Sequence, residues 1–193
     1  NLKKGIMWRM YYLRFTKGMV FKLVVSILVA QAAGVVGSLF TTPSIPTWYE
    51  FLIKPYFNPP SWLFGPAWLT LYVLMAVAAF FVWMEGWEKK EVRIALSIYG
   101  VQLVLNTLWS ILFFGLRSPL YGFLGIVPLW IAIALTIMLF YGISRKAAYL
   151  MIPYIVWVSF AAILNFTVWQ LNPWPYGKLI IDILTIKGLI ALL

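Results

Sequence analysis

The chain has 193 residues, of which 64% are hydrophobic and only 10% charged, against about 25% charged in an ordinary soluble domain. A soluble fold has too little interior to hide that much apolar surface, so the composition excludes a soluble globular class and points to a lipid bilayer. The net charge is +10, and there is neither cysteine nor histidine. Disulfides, thiolate chemistry, the commonest metal ligand and the commonest general base are therefore all missing, and no metal site is expected.

Taken in chain order, the segment from Asn1 to Lys22 mixes cations with Trp8, Tyr11, Tyr12 and Phe15. That is the pattern of an interfacial collar, and residues 1–19 read as a basic extension that anchors at the headgroups. Five stretches then run without Asp, Glu, Lys or Arg: Leu23 to Tyr49, Pro55 to Met84, Ile94 to Leu116, Ser118 to Ser144 and Ala147 to Gly177. Each exceeds the ~20 residues needed to cross a hydrocarbon core of ~30 Å. They lack the in/out alternation of membrane strands, so the fold class predicted is an all-α membrane protein, a bundle of five transmembrane helices forming one domain over residues 20–172. No removable signal peptide is expected, because the first apolar stretch is too long and no small-residue cleavage site follows it.

Between the first two spans, Thr41 to Ser61 carries Pro43, Pro46, Pro55, Pro59 and Pro60 among Trp48, Tyr49, Phe51, Tyr56 and Phe57. So much proline fixes backbone angles without helix and predicts an ordered lid, with Pro59 and Pro60 suited to the first turn of the second helix. Glu50 and Lys54 are its only charges. They serve either to hold the loop or, through Lys54, to meet a carboxylate on a ligand's edge. Pro66, Pro128 and Pro153 lie within spans, where each removes a backbone donor and can kink its helix. The tail from Pro173 to Leu193 is broken by Asp182 and Lys187 and reads as interfacial or poorly ordered rather than as a sixth span.

Lys3, Lys4, Arg9, Arg14, Lys17 and Lys22 fall on one side with Lys89, Lys90, Arg93, Arg145 and Lys146, whereas the other side has Lys54, Arg117, Lys178 and Lys187. The positive-inside bias then predicts a cytoplasmic N-terminus. Cations gathered at span ends suit anionic lipid headgroups and not nucleic acid. Trp8, Trp48, Trp62, Trp87, Trp169 and Trp174 fall near span ends, where aromatic belts anchor membrane proteins, and Trp48 sits also in the lid.

No acid or base occupies the middle of a span, which argues against proton-coupled transport. Amides and aromatics do recur at helical spacing: Gln102, Asn106, Trp109 and Phe113 on the third helix, Trp68, Tyr72 and Met75 on the second, Trp157, Ala161 and Asn165 on the fifth. Three such stripes facing inward would line a pocket for a large planar ligand, stacked on indole and phenol faces and oriented by a few amides. Equally, the amides would bond across helices while the aromatics fill the core.

The motifs Trp48-Tyr49-Glu50 with Lys54-Pro55, Phe57-Asn58-Pro59-Pro60, Gly65-Pro66-Ala67-Trp68 with Leu71-Tyr72, Leu105-Asn106-Thr107-Leu108-Trp109-Ser110 with Phe113-Phe114-Gly115, and Pro153-Tyr154 with Trp157, Ala161 and Leu164-Asn165 follow in order between Val20 and Asn172. In these the chain resembles the TspO/MBR family, the tryptophan-rich sensory proteins of bacteria and the translocator protein of mitochondria, formerly the peripheral benzodiazepine receptor. The resemblance implies a five-helix bundle, often a homodimer, with a pocket for porphyrins and benzodiazepine-type drugs closed by the first loop. Carried over by position, that pocket takes Tyr49, Trp68, Tyr72, Asn106, Trp109, Trp157 and Ala161, beneath a lid with Trp48, Lys54 and Pro55. It implies a porphyrin or other apolar small molecule as ligand and requires no cofactor. The mitochondrial cholesterol pattern needs Tyr and Arg where this chain has Phe166 and Gln170. A formal match at Leu171, Tyr176 and Lys178 is interrupted by two prolines, so a sterol is not the expected ligand.

The function expected is a membrane receptor or carrier that senses or moderates the level of a tetrapyrrole such as protoporphyrin IX. The alternatives are an enzyme that breaks down porphyrin in light, with Trp68 and Trp157 as its redox partners, and a transporter of porphyrin or lipid. Ala33, Gly34, Gly37 and Ser38 would permit close helix contact, within the bundle or between two copies.

Overall fold

The computed structural model describes residues 17–173. Within them the chain forms five long helices: α1 (Lys17–Thr47), α2 (Phe64–Met84), α3 (Lys90–Ser110), α4 (Pro119–Ile143) and α5 (Arg145–Leu171). All five are long and apolar enough to cross a membrane, and the described residues contain no strand. This is the five-helix membrane bundle that the uncharged stretches predict. The expectations for residues 1–16 and 174–193, including Trp8, Trp174, Tyr176 and Lys178, lie outside the described residues.

The helices close a ring in the order α1, α2, α5, α4, α3 and back to α1, with α2 and α3 only lightly in contact across it. Apart from the first loop, between Thr47 and Phe64, the connections are short. Ser118 caps α4 by accepting from the Tyr121 amide (3.3 Å) with Pro119 at the first helical position, where a missing donor costs nothing. Ser144 alone separates α4 from α5. The larger core cluster includes Met75, Ala76, Val82, Phe140, Met151 and Tyr154. A second, at the lid end, gathers Trp48, Tyr49, Leu52, Phe113, Phe114, Leu164 and Val168.

The prolines depart from expectation in an informative way. The lid was expected to begin at Thr41, but α1 continues through Pro43 and Pro46 to Thr47. Proline's fixed φ is already helical; what it costs is the bond to the carbonyl four residues back and some crowding of that carbonyl by the ring. The ladder resumes beyond the prolines, since the Trp48 amide donates to the Ser44 carbonyl at 3.0 Å. Thr41 and Thr47 hydroxyls return to the carbonyls of Gly37 and Pro43 (3.1 and 2.7 Å). At the other end, Ser61–Leu63 forms a 3-10 turn with Pro60 as its extended cap, and Pro66 falls in the first turn of α2, where no ladder bond is forfeited. Pro128 and Pro153 do lie inside α4 and α5, both exposed.

The end of α3 widens into a π-turn over Ile111–Gly115, with bonds spanning five residues from the Leu116 amide to the Ile111 carbonyl (2.8 Å) and from the Ser118 amide to the Phe113 carbonyl (3.1 Å). Sequential Phe113 and Phe114 are both buried there. The Phe114 carbonyl accepts from the Ser44 hydroxyl of α1 at 3.0 Å. Single π-turns of this kind often mark functional positions.

One buried group is left over. The Tyr99 hydroxyl on α3 has no hydrogen-bond partner among the described residues, while its ring stacks on Phe140 at 5.9 Å. An unpaired hydroxyl costs about 1–3 kcal/mol in an apolar interior. Tyr99→Phe keeps the ring and removes that cost, so thermal unfolding in detergent is expected to shift to higher temperature; an unchanged or lowered midpoint would show that the hydroxyl is satisfied.

Candidate functional site

A cavity of about 330 Å³ opens between α1, α2, α3 and α5 beneath the first loop. All seven residues expected to bind ligand line it: Tyr49, Trp68, Tyr72, Asn106, Trp109, Trp157 and Ala161. The stripes converge because each has a period of three or four residues and its helix turns that face toward the ring's interior. Trp68 is the centre of the aromatic wall, with ring centroids 5.7 Å from Tyr72, 6.3 Å from Tyr154 and 6.4 Å from Trp109. Trp109 continues the wall by stacking on Phe113 at 5.5 Å and 20°. From the facing side, Trp157 meets Phe64 edge-on at 6.3 Å.

Of the two parts that the stripes left open to the amides, the structure shows bonding across helices. Asn106 accepts from the Tyr72 hydroxyl and donates to the Tyr154 hydroxyl (3.0 Å), which itself donates to the Gln102 side-chain carbonyl (3.0 Å). Asn165 accepts from the Trp109 indole (3.2 Å) and donates to the Pro119 carbonyl (2.7 Å). These two amides therefore tie α2, α3 and α5 to one another and hold the aromatic wall in place. By contrast, the indole N–H groups of Trp68 and Trp157 make no hydrogen bond with any described residue, and both side chains line the cavity.

The expected lid residues divide. Trp48 is 2% exposed and does not line the cavity; it packs edge-on against Phe113 (5.4 Å) and Phe114 (6.4 Å) as the root of the loop, not as a belt anchor. Trp62 and Trp87 are exposed at span ends, as belt residues would be. Lys54 donates to three backbone carbonyls, those of Tyr49 (2.9 Å), Glu50 (2.8 Å) and Leu52 (2.9 Å). Its three protons close the end of the 3-10 turn Tyr49–Phe51 and are all engaged. Burial pushes the Lys54 ammonium down, and the nearby Glu50 charge opposes that in part. Pro55 is half-buried and accepts from the Asn58 amide (3.0 Å) without reaching the cavity. The loop is also clasped to the end of α5: the Asn172 side chain accepts from the Ile53 amide (3.1 Å) and donates to the Ile53 carbonyl (2.9 Å).

Tyr49 is the lid residue that does face the cavity, and its hydroxyl donates to Asn58 at 2.6 Å. Burial pushes its phenol up from 10.0 to about 12. Because the folded value exceeds the unfolded one, the folded state keeps a proton that the unfolded state loses. The stabilisation is whole below pH 10 and is lost as pH rises through about 12, amounting to about 3 kcal/mol. Unfolding measured from pH 8 to 12 is expected to show that loss, and Tyr49→Phe to remove its share of the pH dependence.

A wall that sequence reasoning missed comes from α1. Gln31, Gly34, Ser38, Thr41 and Thr42 line the cavity at three- and four-residue spacing. The available signal was a polar stripe in an otherwise aliphatic helix. Gly34 and Gly37 had been singled out for close contact, and an added Cβ would stand 2.5 Å from the Tyr72 ring and 3.0 Å from the Ser110 hydroxyl, respectively. Their contacts are therefore within the bundle.

Comparison with known proteins agrees with this architecture. The family model described as TspO/MBR family matches residues 26–170. The tryptophan-rich protein TspO of Chlorobaculum tepidum is 45% identical over 154 residues, covering 80% of this chain and 98% of that protein. The translocator protein of Homo sapiens is 38% identical over 146 residues, covering 74% of this chain and 86% of its own length. The tryptophan-rich sensory protein of Cereibacter sphaeroides is 38% identical over 126 residues, covering 65% and 77%. On the family match and these identities together, the chain belongs to the TspO/MBR family.

Proposed function

We propose that this integral membrane protein is a receptor or carrier that binds a flat, largely apolar ligand, a porphyrin in the first instance, in the cavity beneath its first loop. The observation that carries the reading is the convergence of three aromatic stripes on that cavity, with unpaired indole N–H groups at Trp68 and Trp157. Indole and phenol faces stack on an extended π-system, and unpaired donors orient it. The volume of about 330 Å³ falls at the small end of the ~300–1,000 Å³ range for ligand clefts. Val35 and Leu69 line the cavity and are also exposed on the outside, so a macrocycle larger than the cavity has room to extend between α1 and α2. The names of the relatives support a sensing or carrying role. By the same family relation, benzodiazepine-type ligands fit this reading and so does a homodimer.

The distribution of cations favours an N-terminus in the cytoplasm. Lys17, Lys22, Lys89, Lys90, Arg93, Arg145 and Lys146 stand at the end of the bundle opposite the lid, against Lys54 and Arg117 at the lid end.

Titration with protoporphyrin IX in darkness is expected to quench the tryptophan fluorescence saturably, and Trp68→Phe with Trp157→Phe to weaken both quenching and affinity. Absence of saturable quenching in the intact protein would refute the reading. A second reading, light-dependent porphyrin breakdown, is favoured by the closeness of Trp68 to Tyr72 and Trp109. It requires a new absorbing product under illumination that darkness does not give.

A further inference from the structure

The polar groups best placed to choose among flat ligands are not on the aromatic wall. Asn106 and Asn165 spend both ends of their amides on Tyr72, Tyr154, Trp109 and Pro119. The wall on α1 is differently arranged. The Ser38 hydroxyl donates to the Val35 carbonyl (2.7 Å) and the Thr41 hydroxyl to the Gly37 carbonyl (3.1 Å). Each has given its one proton to its own helix, so toward the cavity it offers lone pairs only. The Gln31 amide and the Thr42 hydroxyl make no hydrogen bond with any described residue, nor does the Ser110 hydroxyl beside them on α3, and all three line the cavity.

Charge is the second observation. None of the residues that line the cavity is charged. Lys54 stands nearby on the lid, but its three donors are already taken by carbonyls. An ionised carboxylate drawn into this space would lose its water and gain no cation in exchange. A neutral carbonyl, amide or ring N–H would find the Gln31 amide, the Thr42 and Ser110 hydroxyls and the acceptor oxygens of Ser38 and Thr41. All four of Gln31, Ser38, Thr41 and Thr42 line the cavity; Gln31 and Thr41 are half-buried there, while Ser38 and Thr42 are also exposed.

From this we infer that the α1 wall formed by Gln31, Ser38, Thr41 and Thr42 sets the specificity of the cavity: it accepts a flat ligand by an uncharged polar edge and keeps ionised carboxylates outside. The inference rests on the ligand-binding reading above and adds to it the chemical class of the bound edge.

The test uses the full chain in phosphatidylcholine nanodiscs and three probes followed by tryptophan quenching: protoporphyrin IX, its dimethyl ester, and perylene, a flat hydrocarbon with no polar edge. The ester is expected to bind at least as tightly as the diacid. Gln31→Leu combined with Thr42→Val, which removes two unpaired donors from the wall, is expected to weaken the ester about tenfold, the worth of a hydrogen bond or two, and to leave perylene unchanged. Binding of the diacid tenfold or more tighter than the ester would overturn the inference. So would a double variant that binds the ester as well as the unaltered protein does, or one that loses ester and perylene equally, which would mean general damage to the cavity. Failure of all three probes to quench would instead remove the ligand-binding reading on which it stands.

Discussion

Replacing Gly122 with alanine is expected to cost the fold about 3 kcal/mol or more, the upper part of the range for overpacking a dense interior. Gly122 is buried on α4 where it faces α3 and α5. A Cβ added there would stand 2.5 Å from Cδ2 and 2.9 Å from Cβ of Phe113, and 2.8 Å from the Asn165 side-chain oxygen. Neither neighbour can withdraw cheaply. Phe113 is held by the π-turn at its backbone and by Trp48 and Trp109 at its ring, and Asn165 holds the Trp109 indole and the Pro119 carbonyl. The damage should reach the cavity as well, because Phe113, Trp109 and Asn165 all line it. Thermal unfolding in detergent measures the first effect, with Gly142→Ala as the control, since nothing lies within 4 Å of the Cβ added there. Equal midpoints for the two variants would mean that the α3–α4 seam is far looser than the packing implies.

Gly34→Ala carries the second large effect, chiefly on binding. The added methyl would stand 2.5 Å from Cε2 of Tyr72. A ring edge moves more readily than a backbone, so the fold is expected to survive. The movement must nevertheless break the Tyr72–Asn106 hydrogen bond or push α1 away from α2, and either change deforms the cavity between them. Affinity for a porphyrin is expected to fall by at least about tenfold, one hydrogen bond with some lost contact, while the unfolding midpoint moves less than for Gly122→Ala. Gly65→Ala is the matching control on the same cavity, because its Cβ meets nothing within 4 Å. Unchanged porphyrin affinity in Gly34→Ala would show that the ligand does not use this seam.

Much of this was legible before any coordinates. Uninterrupted apolar length has one low-energy solution in lipid, so the five spans followed from the positions of the charges. The aromatic stripes were legible because Trp and Tyr at three- and four-residue spacing define a face without knowledge of the neighbouring helix. Less legible was anything that depended on which partner a polar group finds. Asn106 and Asn165 read either as groups that orient a ligand or as bonds across helices, and only the structure decides for the second, with side chains or a carbonyl from helices distant in sequence as partners. Pro43 and Pro46 read as loop because proline disfavours helix in general, whereas the end of α1 accommodates them and bonds its threonines to its own carbonyls. Trp48 read both as a lid residue and, by its place near a span end, as a belt anchor, and the π-turn of α3 decides between them by bringing Phe113 and Phe114 over it. A π-turn leaves no mark in residue spacing that a scan for helical period would detect.

The clasp between Asn172 and Ile53 gives the lid an unusual dependence. Backbone groups in a loop normally find their partners nearby in sequence or in water, but both polar groups of Ile53 are satisfied by one side chain 119 residues away, at the end of α5. The Ile53 amide can therefore exchange its hydrogen with solvent at the slow rate of a structured segment only while the final turn of α5 stays wound. Fraying at the end of α5 would register in the first loop as well, as faster exchange of the Ile53 amide.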